Sequence, residues 1–364
     1  MLELHDPEGA LDALEQYLAD ELRDGLVADV YLGYGLADAL RREAWPSPTE
    51  PCPLPLVAAQ IRPRYESNTV LQAPFRVGEW EATWAPEDYA AAVDEVRAAI
   101  ARGDVYQVNL VQHLSASFEG DPAGLAAALA PLRPLAPRPL IGDSWAIVSA
   151  SPELFLARRG ERLWTMPIKG TRPIGEDIED AKDAAEHVMI VDLERNDLSR
   201  VCEVGSIRWP VLMVQQELAG VTHLVSTVEG RLRPGVGLAE ILRATFPGGS
   251  ITGAPKISAI DHIARIEPVG RGASMGALGT VQANGDFELA LTIRTFAVAA
   301  GRIHLWAGGG IVWDSDPEAE IEESWVKARP LLAAVGGGGG GVGSTEPPRS
   351  GGAGLAGAGA ENRA

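Results

Sequence analysis

Two pairs of carboxylates in this chain have a spacing that could gather a cation. Asp183 and Glu186 are three residues apart in one segment with helical patterning, and Glu320 and Glu323 are three apart in another. Residues three apart share a helix face, so each helix can aim two carboxylates at one point. Four converging carboxylates suit a hard cation such as Mg2+, which keeps part of its water shell and takes one or two carboxylates directly. Spacing alone also describes a solvated face, with Glu323 paired to Lys327 four residues on, and such acidic pairs are common.

A second candidate is Lys169, in the segment PIKGT. A nucleophilic lysine must shed its proton, and with a reference pKa of ~10.4 only about one amine in a few thousand is neutral at pH 7. Burial in an apolar pocket makes such an amine useful. Glu153, in SASPELF, falls on the partner strand of the hairpin that Arg159-Gly160 predicts, where it could face the same cavity as a general acid. The plainer alternative is a surface lysine at a hairpin end and an ordinary strand glutamate. PGGSITGAPK (residues 247–256) leads into a helix, so its glycines and the unpaired N–H groups of the helix start could receive an anion. It lacks the G-x-x-x-x-G-K-[ST] pattern of a phosphate loop. AGGGIVWDSD (residues 307–316) is a second glycine cluster, at a strand, where glycine often marks a ligand lying against backbone. Turn and bulge chemistry accounts for both clusters equally well. His223 and Arg294 fall in predicted strands; an inward Arg would call for a bound carboxylate, an outward one for nothing.

The elements that must position these residues follow from periodicity. A helix is expected near residues 10–23, followed by short strands and a connection rich in proline from Pro46 to Pro55. From Ala85 come a helix opened by Pro86 and closed near Gly103, then a strand that alternates, VYQVNLVQHLSASF. EDIEDAKDAAEHVMIVDLERNDLSRV reads as a long helix and its exit. The span from Ala277 to Trp313 is rich in strands, with Asn284-Gly285 and Ala300-Gly301 as hairpin turns. APKISAIDHIARI is a helix, and the last helix starts with Asp316 as cap and Pro317 at its first position. Antiparallel runs of strands with helices between the runs favour an α+β fold over a doubly wound parallel sheet. Residues 1–84 read as an N-terminal part and 85–335 as the body. The glycine-rich stretch 336–364 has no aromatic residue and is expected to be disordered.

The net charge is −19, which repels nucleic acid and anionic membrane surfaces, so an anionic substrate needs local cations or N–H groups. Two cysteines, Cys52 and Cys202, argue against a disulfide framework. The N-terminus lacks the features of a secretory signal and no apolar run reaches the ~18 residues of a membrane span, so a cytosolic protein is expected.

The order and wording of the motifs say more than any one of them. YQVNL, SASPELF, PIKGT, AEHVMIVDLERNDLSR, VTHLVSTVEG, PGGSITGAPK, ALGTV, IRTF and GGGIVWDSDPEAEIEES resemble the chorismate-utilising enzymes, over about residues 85–333. That family contains anthranilate, aminodeoxychorismate, isochorismate and salicylate synthases. The resemblance implies two large antiparallel sheets packed face to face, with helices outside and the active site between. It implies Mg2+ on Glu186 and Glu323, with Glu320 and Asp183 acting through water; Asp183 stands where the family usually has Glu. It places substrate carboxylates at Arg294, Gly308, Gly310 and Ser250, His223 near the ring, Thr171 and Gln107 among the binding positions, and Glu153 as the acid.

Gln107 sits where members that use water have Lys, which implies ammonia as nucleophile. Lys169 sits where anthranilate synthases have Ala, and PIKGT resembles the aminodeoxychorismate synthase branch. The implied chemistry is amination of chorismate at C4 through a covalent Lys169 intermediate at C2, serving para-aminobenzoate and folate synthesis; amination at C2 with loss of pyruvate is the alternative. The rest of the chain has no room for a glutaminase domain of roughly 150–200 residues. A separate glutamine amidotransferase subunit is therefore expected to supply ammonia.

Overall fold

The computed structural model describes residues 1–43, 45–66, 72–173, 181–218 and 221–336, with the backbone alone at 171–173, 181–183, 217–218 and 221. The expected disordered tail therefore lies outside the described residues beyond Gly336. The chain opens with β1 (Leu2–Leu4), α1 (Ala10–Glu21), β2 (Leu26–Leu32), β3 (Val57–Pro63), β4 (Phe75–Val77) and β5 (Glu81–Ala82). Next come α2 (Pro86–Arg102), β6 (Gln107–Gly120), α3 (Ala123–Leu129), β7 (Leu140–Ile141), β8 (Trp145–Ser149), β9 (Leu154–Arg159), β10 (Arg162–Met166) and β11 (Ile168–Pro173). The third stretch holds α4 (Ala181–Ser199), β12 (Arg208–Leu218), β13 (Val221–Arg231), α5 (Leu238–Thr245), β14 (Gly253–Ala254) and α6 (Lys256–Ile266). The last holds β15 (Ala277–Gln282), β16 (Phe287–Leu291), β17 (Thr295–Ala299), β18 (Arg302–Ile311) and α7 (Pro317–Gly336).

Helix ends follow their caps. Pro86 opens α2, and Gly103 closes it in the left-handed region at φ 81°, where its lack of Cβ costs nothing. Asp316 accepts the N–H of Ala319 at 3.0 Å and so starts α7 as its position predicts.

The described strands form two sheets with antiparallel pairing, one of ten strands and one of eight, and helices cover them: an α+β fold. The larger runs β1-β3-β2-β15-β16-β9-β10-β13-β11, with β12 also on β13; the smaller runs β14-β6-β18-β17-β8-β7, with β4 and β5 on β6. The expected hairpins form at Gly160, Gly285 and Gly301, all at positive φ. Side-chain alternation divides β8 and β17 of the smaller sheet between two cores, with Leu305 and Trp306 of β18 following suit. Ile147, Ala297, Ala299 and Trp306 join the large core shared with the other sheet. Ala146, Val148, Phe296, Val298 and Leu305 join a second core beneath α3 and α7.

Two expectations are corrected. β6 does not alternate between buried and exposed, because both its faces are covered; residues 107–116 are all buried. Arg294 is not in a strand: residues 292–294 link β16 in one sheet to β17 in the other, and Arg294 takes φ 50°. The run LALTIRTFAVA keeps a strand-like composition across the break, which hid it. Among the described residues no helix is long and apolar enough to cross a membrane.

A buried histidine pair lies between β6 and β18. His113 Nδ1 meets Thr83 Oγ1 at 2.7 Å and its Nε2 meets His304 Nδ1 at 3.0 Å. Burial, with His304 and Arg302 adding to it, lowers His113 to about 3, and burial with Arg302 lowers His304 to about 4. Between the ordinary value near 6.5 and these values the unfolded chain binds more protons than the folded one. Stability should therefore be complete above about pH 6.5 and fall by on the order of 3 kcal/mol towards pH 4. Urea unfolding followed across that range checks this, and His304→Gln is expected to flatten the slope.

Candidate active site

Two of the passages between the sheets are short links of three or four residues, and the site is built where these two meet. Residues 150–153 carry it from β8 to β9, and residues 292–294 carry it from β16 to β17. The two links run side by side. Ala150 N–H donates to Arg294 O at 2.9 Å, and Leu291 N–H donates to Glu153 O at 3.0 Å. Ser149 and Thr295 hydroxyls meet at 2.8 Å. Glu153 and Arg294 thus leave the same seam, one from each link.

Glu153 is 5% exposed and accepts a hydrogen bond from Ser250 Oγ at 2.9 Å. Burial raises its carboxyl above the usual range, and Ser250, then Lys169, the backbone near Ile168 and Arg294 hold it back in part. Burial lowers the Arg294 guanidinium, and Glu153 offsets this.

Lys169 stands on β11 opposite Leu224 of β13, beside a register shift. Its Nζ is 3.6 Å from Glu186 on α4, with both side chains largely buried. The next residue, Gly170, takes φ 62°, and its carbonyl accepts from His223 Nδ1 at 2.7 Å. Burial lowers the His223 imidazole, the Gly170 contact opposes this, and Arg294 adds to it. Glu153, Lys169, Glu186, His223, Ser250 and Arg294 therefore share one neighbourhood.

A second group gathers at the end of β18. Gly308 and Gly310 face β6 at Val111 and Asn109. Lys327 on α7 bonds Gly308 O at 2.9 Å and Glu323 Oε1 at 2.7 Å. A Cβ placed on Gly309 would lie 3.2 Å from Glu323 and 3.5 Å from Glu320. Glu320 itself accepts from Ser315 at 2.6 Å and is buried. Gln107 is fully buried, and among the described residues neither of its amide atoms has a hydrogen-bond partner; the same holds for Asn109 Oδ1.

The two groups are joined by the glycine turn. Ser250 contacts Glu153, while β14, four residues further, pairs with Gln107 and Val108, and Asn109 N–H donates to Thr252 O at 2.8 Å. Among the described residues no three His, Cys, Asp or Glu side chains converge closely enough to enclose a metal. The side chains of Thr171 and Asp183 lie outside the described residues.

Several participants escaped the sequence reading. His187, fully buried one residue after Glu186, meets Ser226 Oγ at 2.6 Å, and burial, with Lys169 adding to it, lowers its imidazole to about 4. Asp197 pairs with Lys256, whose Nζ also bonds Thr245 O at 2.9 Å. Glu267 and Arg271, four apart and both buried, form an ion pair at 2.8 Å. The i,i+4 spacing of that last pair was a visible signal, although nothing in the sequence marked it as interior.

Comparison with known proteins agrees with this geometry. Residues 49–333 match the chorismate binding enzymes, and the chain belongs to that family. It is 41% identical over 272 residues to an anthranilate synthase component 1 of Streptomyces coelicolor, covering 70% of this chain and 53% of the relative. It is 40% identical over 268 residues to an aminodeoxychorismate synthase component 1 of Klebsiella aerogenes, covering 70% and 59%. It thus spans a little over half the length of those relatives. Among solved structures, anthranilate synthase component I from Streptococcus pneumoniae superposes with a TM-score of 0.76 at 27% identity, covering 88% of this chain and 85% of that one.

The two glycines opposite β6 should answer differently to substitution. A Cβ on Gly308 would sit 1.8 Å from the backbone oxygen of Leu110, which cannot move without breaking the sheet. On Gly310 it would meet the end of the Gln107 side chain at 2.0 Å, which can swing away. Gly308→Ala is expected to lower the thermal midpoint by several degrees, about 2 kcal/mol or more. Gly310→Ala is expected to fold but displace Gln107 and impair turnover. Melting and activity measured together separate the two.

Proposed function

We propose that this protein aminates chorismate at C4, giving 4-amino-4-deoxychorismate, with ammonia supplied by a glutaminase partner. The observation that carries the reading is the buried Glu153 carboxyl, bonded to Ser250 and close enough to Lys169 and Arg294 to feel both charges. A carboxyl raised by burial keeps its proton to higher pH than a free one, which suits it to deliver a proton to a leaving hydroxyl. Lys169, in the PIKGT wording, is the nucleophile of this reading. Its amine forms a bond to C2, the ring double bonds shift, and the C4 hydroxyl departs as water with the Glu153 proton. Ammonia then adds at C4, the double bonds shift back, and the lysine nitrogen leaves C2. Two displacements replace one difficult substitution. Arg294, Ser250 and the N–H groups around Gly308 and Gly310 would hold substrate carboxylates, with His223 and Thr171 beside the ring and Gln107 facing the ammonia.

Mg2+ is the cation of this reading. Glu186 and Glu323 now pair with Lys169 and Lys327, and a bound ion would take the place of those lysines. All four candidate donors are carboxylates, the ligands of a hard cation. Glu186 and Glu323 would bind directly and Glu320 and Asp183 through water; the ion would neutralise substrate charge. The designation component 1, carried by relatives of both kinds, supports a second subunit.

Chorismate, Mg2+ and an ammonium salt should give a product of the mass of aminodeoxychorismate, without fluorescence. Fluorescent anthranilate with release of pyruvate would instead assign the activity of the Streptomyces relative. Lys169→Ala should abolish amination at C4, and undiminished turnover would remove the nucleophile from this reading.

The rate should fall at alkaline pH as Glu153 loses its proton. Ser250 holds the Glu153 pKa down, so Ser250→Ala should move that limb to higher pH. A pH profile of kcat measures the shift.

A further inference from the structure

The turn that brings Ser250 to Glu153 is gripped on both sides by buried ionisable groups. On one side Gly249 N–H donates to Glu194 Oε1 of α4 at 3.1 Å. On the other, Arg271 Nη1 donates to Ile251 O at 2.9 Å. The same guanidinium reaches Asn109 O on β6 at 2.7 Å through Nη2, and it binds the Glu267 carboxylate at 2.9 and 2.8 Å. Glu267 in turn accepts the N–H of Val111 at 3.1 Å. Thr252 Oγ1 closes the turn on Gly248 O at 2.9 Å. Glu194 and Arg271 are both nearly inaccessible, at 3% and 2% exposure. Burying two ionisable groups is costly, and an interior ion pair is a weak way to add stability. What these groups do fix is geometry, because a guanidinium holds its partners in one plane at set directions.

We propose that Glu194 and Arg271 are positioning residues that clamp the Gly249–Ile251 turn from opposite sides and so keep Ser250 Oγ on the Glu153 carboxyl; this rests on Glu153 being the proton donor of the proposed reaction. Arg271 has a second reach. By holding Ile251 and Asn109 together it fixes the turn against the strand that carries Gln107, so the acid and the unpartnered amides keep one spacing. Glu194 can act without charge. Burial, with Asp197 adding to it, raises its carboxyl to about 8, so near neutrality it is largely the neutral acid, and glutamine is a close mimic that still accepts the Gly249 N–H.

The test uses the full chain with chorismate, Mg2+ and ammonium salt, and reads kcat, KM, the pH profile of kcat and the melting temperature. Glu194→Ala should lower kcat about tenfold or more while KM for chorismate stays within about threefold. Its alkaline limb should lie above that of Glu194→Gln, which lacks the carboxylate but keeps the contact. Glu194→Gln should keep kcat within about threefold of the unaltered protein. Arg271→Lys, which retains charge but gives up the planar fork, should show the Glu194→Ala pattern with the fold intact. Should Arg271→Lys not fold, the Ala and Gln variants at position 194 decide alone. An unchanged kcat in Glu194→Ala overturns the clamp, as does a loss that lies wholly in KM or matches the fraction unfolded. An unaltered protein that never consumes chorismate overturns the proposed function first, and the clamp with it; an active one with an indifferent Glu194→Ala overturns the clamp alone.

Discussion

Backbone polar groups that cross between two packed sheets enter the interior without a strand to pair with, and each one left unbonded is costly. In this protein the two shortest crossings satisfy each other. Ala150 bonds to Arg294 and Leu291 to Glu153, so the links at 150–153 and 292–294 behave as a short ladder of their own. That arrangement forces whatever side chains the links carry into the space between the sheets. The chain places an acid on one link and a guanidinium on the other, and each offsets part of the other's burial. The raised carboxyl of Glu153 is thus a consequence of how the sheets are connected as much as of the residue chosen there.

The glycine turn completes the enclosure by belonging to both sides. Ser250 answers to the Glu153 link, while β14 extends the smaller sheet at Gln107 and Val108. Its glycines are required by contact. A Cβ on Gly253, at φ 138°, would strike the backbone oxygen of Gln107 at 2.1 Å, and one on Gly249 would strike Leu193 of α4 at 2.6 Å. The turn is therefore packed on two faces by different elements. Its position carries the spacing between the acid on the 150–153 link and Gln107 on the smaller sheet.

Much of this was legible in the sequence, for reasons that separate local from tertiary causes. Caps and turns state themselves locally, and Pro86, Gly103, Asp316 and the glycines at 160, 285 and 301 stand where their chemistry predicts. The motif wording placed Glu153, Lys169, Glu186, His223, Ser250 and Arg294 in one site, and the structure brings them together. Spacing alone could not have done this, since Glu323 also makes the plain i,i+4 pair with Lys327 that a solvated helix face would make. What stayed hidden depends on contacts distant in the chain. The break at Arg294 lies inside a run of residues that looks like one strand, and only the existence of a second sheet explains it. Glu194 and Arg271 are charged residues on helical or loop segments, a pattern that ordinarily means solvent. Their interior role follows from a turn lying 55 residues from the first and 20 from the second.

The overall charge and the site oppose each other. A net charge of −19 disfavours any anion at a distance, but that field is screened over about 8–10 Å at physiological salt. Inside the seam the side chains are largely buried, and the basic groups beside Glu153 and Glu186 are Lys169 and Arg294. An anion entering the seam would meet these few basic groups at short range. Local charge at a few ångströms in a poorly hydrated cleft outweighs a larger charge spread over a wet surface. A chain that is acidic overall can therefore hold a locally basic seam, provided that the elements carrying those few basic groups stay in place.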